Sequence, residues 1–159
     1  ADGFPHAVRF ARVLFAGFLG KSVEHVQRRH DGNAFKAHHR AYLDEDQHLV
    51  FDIDLVVYEK SSGRALLVLD TKYKRDDFPS NPDVQQIVAY AVRVGAKSTA
   101  LVYPQRPTTP YNTNIGDIGV WTVGFDISQT LDDAGAVFML AIEGILAPQS
   151  RGEGQPDLK

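Results

Sequence analysis

The sequence of 159 residues contains no cysteine. This absence excludes disulfides, thiolate zinc sites, iron–sulfur clusters and cysteine nucleophiles together. The sequence also lacks any apolar run near the roughly 20 residues that a membrane-spanning helix needs, and its start has no signal-peptide pattern. We therefore expect a cytoplasmic protein without a membrane segment.

Neither sign of charge dominates, because 17 Lys and Arg stand against 20 Asp and Glu, for a formal net charge of −3. This balance argues against a generally basic protein that coats nucleic acid. The hydrophobic share of 43% is that of an ordinary globular protein. We expect one domain over residues 1–147 and a disordered polar tail over residues 148–159.

The periodicity of apolar residues predicts one mixed α/β sheet flanked by helices. Helical spacing predicts a first helix over residues 8–29, a second over 83–94 with Asn81 as its N-cap, and a third over 131–146. Strands are predicted over residues 49–58, 65–73, 99–103 and 120–127, the first two as an antiparallel hairpin. Residues 30–48 are ambiguous, with a short strand at 41–43, and residues 105–116 are predicted to be a loop.

Polar residues interrupt the two strands of the hairpin. Asp52 and Asp54 lie in the first strand, while Asp70 and Lys72 end the second. A carboxylate in an apolar strand is costly unless it is paired or binds a metal ion. Pairing across the turn can bring Asp54 near Asp70, and a divalent cation would relieve their repulsion. Lys72, on the same face as Asp70, would add positive charge where an oxyanion forms. An ordinary salt bridge at a sheet edge is the alternative.

The second helix adds two polar side chains to this pattern. Gln86 and Tyr90 are four residues apart and share a helix face, with Asp83 close by. In one interpretation Tyr90 is a core aromatic and Gln86 a surface residue. In the other, both reach the metal site or a bound phosphate.

Four ordered segments together resemble the nuclease domain of McrC, the cleavage subunit of McrBC modification-dependent restriction systems. McrC belongs to the PD-(D/E)xK superfamily. The segments are D-L-V-V-Y-E-K at 54–60, L-V-L-D-T-K-Y-K at 67–74, D-V-Q-Q-I-V-A-Y-A at 83–91 and L-V-Y-P at 101–104. The resemblance covers residues 54–104 and, more loosely, the first helix. Gln86 and Tyr90 also resemble the Q-x-x-x-Y motif of RecB-type nucleases.

The resemblance implies a restriction-endonuclease-like fold, an α-β-β-β-α-β core followed by a C-terminal strand and helix. It implies endonucleolytic hydrolysis of DNA phosphodiester bonds with Mg²⁺, which Mn²⁺ can replace. The site residues that it implies are the catalytic and metal-binding Asp54 and Asp70, the catalytic Lys72, the backbone carbonyl of Thr71 as a metal ligand, and the supporting Gln86 and Tyr90.

The chain departs from the family pattern in two places. Ile53 stands where the superfamily name has Pro, a common exchange, and Ala16 stands where such nucleases carry a metal-binding Glu in the first helix. Glu24, two turns later, and Asp52 are the further candidate ligands. Loss of one carboxylate motivates an alternative, an inactive nuclease-fold scaffold or DNA-binding domain. A RecB-like exonuclease is another alternative.

Basic residues next to the acidic site predict contacts with the DNA backbone. The candidates are Lys74, Arg75, Arg28, Arg29 and Arg40. Solvated surface charge is the alternative for each of them. The sequence has no P-loop motif, so the resemblance implies an McrB-like GTPase motor as partner, with this chain as a fragment or an unusually short subunit. Oligomerisation is left open.

Overall fold

The computed structural model describes residues 32–73 and 78–147. These residues form six strands and two helices. The elements are β1 (Asn33–Tyr42), β2 (Val50–Glu59), β3 (Ala65–Thr71), α1 (Asn81–Val94), β4 (Ser98–Tyr103), β5 (Asn112–Ile115), β6 (Ile118–Gly124) and α2 (Leu131–Leu146). The first helix and the disordered tail that the sequence predicts lie outside the described residues. No helix in the described ranges is long and apolar enough to cross a membrane.

The six strands form one mixed sheet in the order β1-β2-β3-β4-β6-β5. β1, β2 and β3 pair antiparallel, as does β5 with β6. β4 runs parallel to both β3 and β6, and α1 makes the connection from β3 to β4. This arrangement confirms the predicted α/β class with a mixed sheet flanked by helices, and it confirms the antiparallel hairpin of β2 and β3.

Both faces of the central strands are covered. On one face Leu55 and Leu67 pack in a buried cluster with Phe138 of α2. On the other face Val56 belongs to a second cluster with Ile87 of α1. This two-sided burial explains the nearly continuous apolar sequence of β3. It also means that a polar side chain in β3 must find its partners inside the protein.

Local sequence sets both ends of α1. The side chain of Ser80 accepts a hydrogen bond from the backbone N–H of Asp83, so Ser80 rather than the predicted Asn81 is the N-cap. Pro82 follows in the first turn, where its missing N–H costs nothing. The helix ends at Gly95, which has a φ of 76° that a residue without Cβ adopts readily. This helix end is the predicted one.

The structure differs from the sequence prediction at the two edges of the sheet. β1 is ten residues long, where only a short strand at 41–43 is predicted. β5 lies in the segment that is predicted to be a loop. Both are edge strands with many exposed side chains, so neither has the apolar pattern of a covered strand. A φ of 52° at His38 further breaks the alternation in β1.

Candidate active site

The two predicted carboxylates lie at neighbouring positions of β2 and β3. Leu55 pairs with Leu69 in the antiparallel register, and Asp54 and Asp70 are each one residue beyond that pair. The side chain of Asp70 is fully buried, with 0% exposure, while Asp54 is half-buried. The hairpin therefore places one carboxylate inside the protein and a second next to it, as the sequence predicts.

Thr71 connects the two strands at this point. Its backbone N–H donates to Oδ2 of Asp54 at 2.8 Å, and its hydroxyl donates to the same oxygen at 2.6 Å. Because the Thr71 nitrogen belongs to the peptide bond that follows Asp70, these contacts hold the Asp54 carboxylate against the backbone of Asp70. Thr71 itself pairs with Val102 in β4. The predicted use of the Thr71 carbonyl as a metal ligand stays a prediction.

Lys72 lies directly after β3, and its backbone N–H donates to the carbonyl of Val102 at 2.7 Å. Its ammonium contacts Oδ2 of Asp70 at 2.5 Å, and the Lys72 side chain is only 10% exposed. The structure thus brings Asp70 and Lys72 together on one face, as alternation along the strand predicts. The contact is a buried ion pair on the central strand β3, whereas the alternative was a salt bridge at a sheet edge.

Two side chains of α1 complete the surroundings of the ammonium. Lys72 Nζ lies 2.9 Å from Oδ1 of Asp83 and donates to Oε1 of Gln86 at 3.1 Å. The predicted Gln86 therefore belongs to the site. Tyr90 is buried, and its ring packs edge-on against Phe51 with the ring centroids 4.7 Å apart, as the interpretation of a core aromatic predicts.

In the sequence Asp83 stands out only as a neighbour of Gln86, and the predicted site residues do not include it. Its Oδ2 accepts a hydrogen bond from the Ser80 hydroxyl at 2.8 Å, while its Oδ1 faces Lys72. The sequence does contain a signal for Asp83, because Asp83 and Gln86 are three residues apart and therefore share a helix face. What the sequence could not show is that Lys72, beyond the end of its strand, reaches this face.

The predicted DNA-binding Arg40 and the further candidate ligand Asp52 face each other across β1 and β2. Arg40 Nε donates to Oδ1 of Asp52 at 3.2 Å, and both side chains are mostly exposed. The hydrogen bond to Asp52 raises the pKa of Arg40. Arg40 also lines an open cavity of about 520 Å³ together with Arg93 and the acidic Asp44. The charge around Arg40 is therefore mixed.

The other predicted site residues lie outside the described parts of the chain. They are the basic Lys74, Arg75, Arg28 and Arg29, the acidic Glu24, and Ala16, where the family pattern has Glu.

The donors at the carboxylate pair suit a hard cation. Asp54 and Asp70 offer only oxygen, and Mg²⁺ is often held by one or two carboxylates while it keeps several waters. Within residues 32–73 and 78–147, no group of three or more acidic or histidine side chains is placed to hold a metal ion. A site built on these two carboxylates therefore fits Mg²⁺ better than an ion that needs a full cage of protein ligands.

Comparison with known families gives a match for this sequence. Residues 12–104, more than half of the chain, match the model of the family described as McrBC 5-methylcytosine restriction system component. The match includes the whole of β1 to β4 and α1, and therefore all of the site described above. No curated protein gives a significant match.

Solved structures show where the same fold occurs. The chain is similar to one in the refined half-complex from a tetradecameric assembly of Thermococcus gammatolerans McrB AAA+ hexamers with bound McrC. The TM-score is 0.61 at 14% sequence identity, and the similarity covers 82% of this chain and 33% of that one. The present chain thus spans about a third of the matched chain, and at this identity the similarity concerns the fold.

Proposed function

Because the chain belongs to the family of McrBC 5-methylcytosine restriction system components, we propose that it is the DNA-cleaving nuclease domain of such a system. The single observation that carries the proposal is the buried Asp70 paired with Lys72 and adjacent to Asp54. A protein rarely buries a carboxylate and an ammonium for stability alone, since apolar side chains of similar size often serve that purpose as well or better.

Asp54 and Asp70 would hold Mg²⁺, or Mn²⁺ in its place. A bound divalent ion lowers the pKa of a coordinated water and stabilises charge on a phosphoryl oxygen. The chain's own contribution is then to fix the carboxylates. Thr71 orients Asp54 through two hydrogen bonds, and the side chain of Asp70 is fully buried.

Lys72 supplies a fixed positive charge next to this metal-binding pair. Its ammonium is held by three oxygens, so it is positioned before any substrate arrives. A pre-oriented cation is most effective where negative charge develops during phosphodiester cleavage. We propose that the Lys72 ammonium contacts either the scissile phosphate or the attacking water.

DNA and a motor subunit are the proposed partners. The structural neighbour comes from an assembly that contains McrB AAA+ hexamers and bound McrC. By analogy, this domain would act with an McrB-like GTPase that delivers DNA to the site. Arg40, on the exposed edge strand β1, stays a candidate for contact with the DNA backbone.

The test is a plasmid-cleavage assay with the full chain, an McrB-like partner, GTP and either Mg²⁺ or Mn²⁺. We expect the supercoiled plasmid to be cut by wild type and by Asp117→Asn, a control at an exposed carboxylate. Asp70→Asn and Lys72→Met should lose cleavage. Equal cleavage by all four proteins would contradict the proposal.

The same assay separates the alternatives. Degradation of linear but not circular DNA would favour a RecB-like exonuclease. A protein that binds DNA but neither cleaves it nor binds metal would favour the inactive scaffold that the Ala16 departure suggests.

A further inference from the structure

Three oxygens from two different elements surround the Lys72 ammonium. Asp70 approaches from β3, and Asp83 and Gln86 approach from α1. An ammonium has three N–H donors, so this set can satisfy all of them. Two of the three acceptors belong to the helix, and one of those two carries a charge. The helix therefore offers Lys72 a charged partner that is separate from the metal-binding carboxylate.

The N-cap of α1 fixes the charged helix partner. The Ser80 hydroxyl donates to Oδ2 of Asp83 at 2.8 Å, and the Asp83 N–H donates back to the Ser80 oxygen at 3.3 Å. In this reciprocal pair the Ser80 oxygen satisfies the N–H of Asp83, as an N-cap does, and the Ser80 hydroxyl holds the carboxylate in one orientation. It uses one carboxylate oxygen of Asp83 and leaves the other, Oδ1, directed at Lys72.

We propose that Asp83 is a positioning residue for Lys72, which keeps the ammonium in the site when Asp70 binds a cation. The inference rests on the proposed function, because it takes Asp70 as a cation ligand. A divalent cation at Asp70 cancels the charge that attracts the ammonium and repels the ammonium itself. If Asp70 were the only charged partner of Lys72, binding of the cation would then drive the ammonium out of the site.

Asp83 is suited to this role by its exposure as well as by its distance. Its side chain is 29% exposed, against 0% for Asp70. Water therefore reaches one side of Asp83, so its charge is tolerated whether or not Lys72 is close. Gln86 adds a neutral acceptor beside it.

The experiment follows the ¹⁵N signal of the Lys72 ammonium by NMR in the full ¹⁵N-labelled chain without metal. A lysine ammonium that is held in hydrogen bonds gives a detectable signal, whereas a free one is broadened by exchange with water. Asp70→Asn removes the charge of Asp70 while it keeps the shape, so it reproduces the loss of attraction that a bound cation causes, without the added repulsion. We expect the signal to persist in Asp70→Asn and to be lost in the double variant Asp70→Asn, Asp83→Ala.

A matched control comes from α2, where Thr130 and Asp133 form the same reciprocal pair of hydrogen bonds at 2.8 and 3.3 Å. The double variant Asp70→Asn, Asp133→Ala carries the same loss of a carboxylate and should keep the signal. In the Asp70→Asn background, replacing Asp83 by Glu instead of Ala keeps a negative charge at this position. The ammonium signal should persist in that variant too. Backbone amide spectra of all variants report whether the fold is intact.

Two results would overturn the positioning role. Loss of the signal in Asp70→Asn alone would mean that only Asp70 holds Lys72. Its persistence when Asp83 is also removed would mean that Asp83 is not needed. Mg²⁺ added to wild type tests the proposed function separately, since the amides around Asp54 and Thr71 should shift. If these amides do not shift, the proposed metal site is wrong. The positioning role proposed for Asp83 is then wrong too, whatever the ammonium signal shows.

Discussion

Replacement of Lys72 by Met is expected to destabilise the folded protein strongly. Met keeps much of the apolar side-chain stem but removes the ammonium that contacts Asp70 at 2.5 Å. Since the Asp70 side chain has 0% exposure, water cannot take over the lost interaction. Removal of one partner from a buried ion pair costs about 3–5 kcal/mol. Lys72 is itself 10% exposed, so we expect the lower end, about 3 kcal/mol.

Urea denaturation measures this loss. For an m-value of about 2 kcal/mol/M, a loss of about 3 kcal/mol lowers the unfolding midpoint by about 1.5 M. Lys97→Met is the matched control, because Lys97 is 74% exposed and only approaches Asp117 at 3.9 Å. The control should unfold close to wild type, as exposed ion pairs contribute little.

A second substitution separates the ion pair from simple loss of packing. Asp70→Asn in the Lys72→Met background removes the buried charge that has lost its partner, so it should recover at least about half of the lost stability. A Lys72→Met protein within about 0.5 kcal/mol of wild type would refute the reasoning, because that is the usual range for an unimportant surface change. No recovery in the double variant would refute it as well.

Three further predictions concern other parts of the structure. Thr71→Val removes the hydroxyl that donates to Asp54 at 2.6 Å and should cost about 1.5 kcal/mol in urea denaturation; unchanged stability would show that this hydrogen bond contributes nothing. Gly124→Ala places a Cβ 2.5 Å from the Cα of Arg106 and should cost about 1–3 kcal/mol, seen as a lower Tm; an unchanged Tm would contradict the close approach. Burial lowers the pKa of His39 below its ordinary 6.5, so the unfolded chain takes up a proton more readily there and stability falls as the pH drops from about 7 to 5. His39→Gln should make that fall shallower in urea midpoints compared at the two pH values, and an identical slope would argue against it.

The part of the fold that could be predicted is the part with covered faces. The strands β2, β3 and β4 carry long apolar runs because helices pack on both sides of the central sheet. The edge strand β1 could not be predicted in full, since its outer positions are free to be polar and His38 interrupts the alternation. β5 is short and polar for the same reason.

The site shows a similar limit. The positions of Asp54, Asp70 and Lys72 follow from the alternation and register of one hairpin, so they can be predicted from the sequence pattern. The contacts of Lys72 with Asp83 and Gln86 depend on how α1 lies against the end of β3. That arrangement results from packing between distant segments, and no local spacing encodes it. Helix spacing and the family resemblance both indicated Gln86, and neither gave a role to Asp83.

The central claim is that the carboxylate pair of the β2–β3 hairpin binds a divalent cation. Calorimetric titration with Mn²⁺ of wild type, Asp54→Asn and Asp52→Asn tests it most directly. The two variants remove a carboxylate from the same strand, but Asp54 faces Thr71 in the site whereas Asp52 is exposed and paired with Arg40. We expect wild type and Asp52→Asn each to bind one Mn²⁺ and Asp54→Asn to bind none. Equal binding by Asp54→Asn, or no binding by wild type, would contradict it.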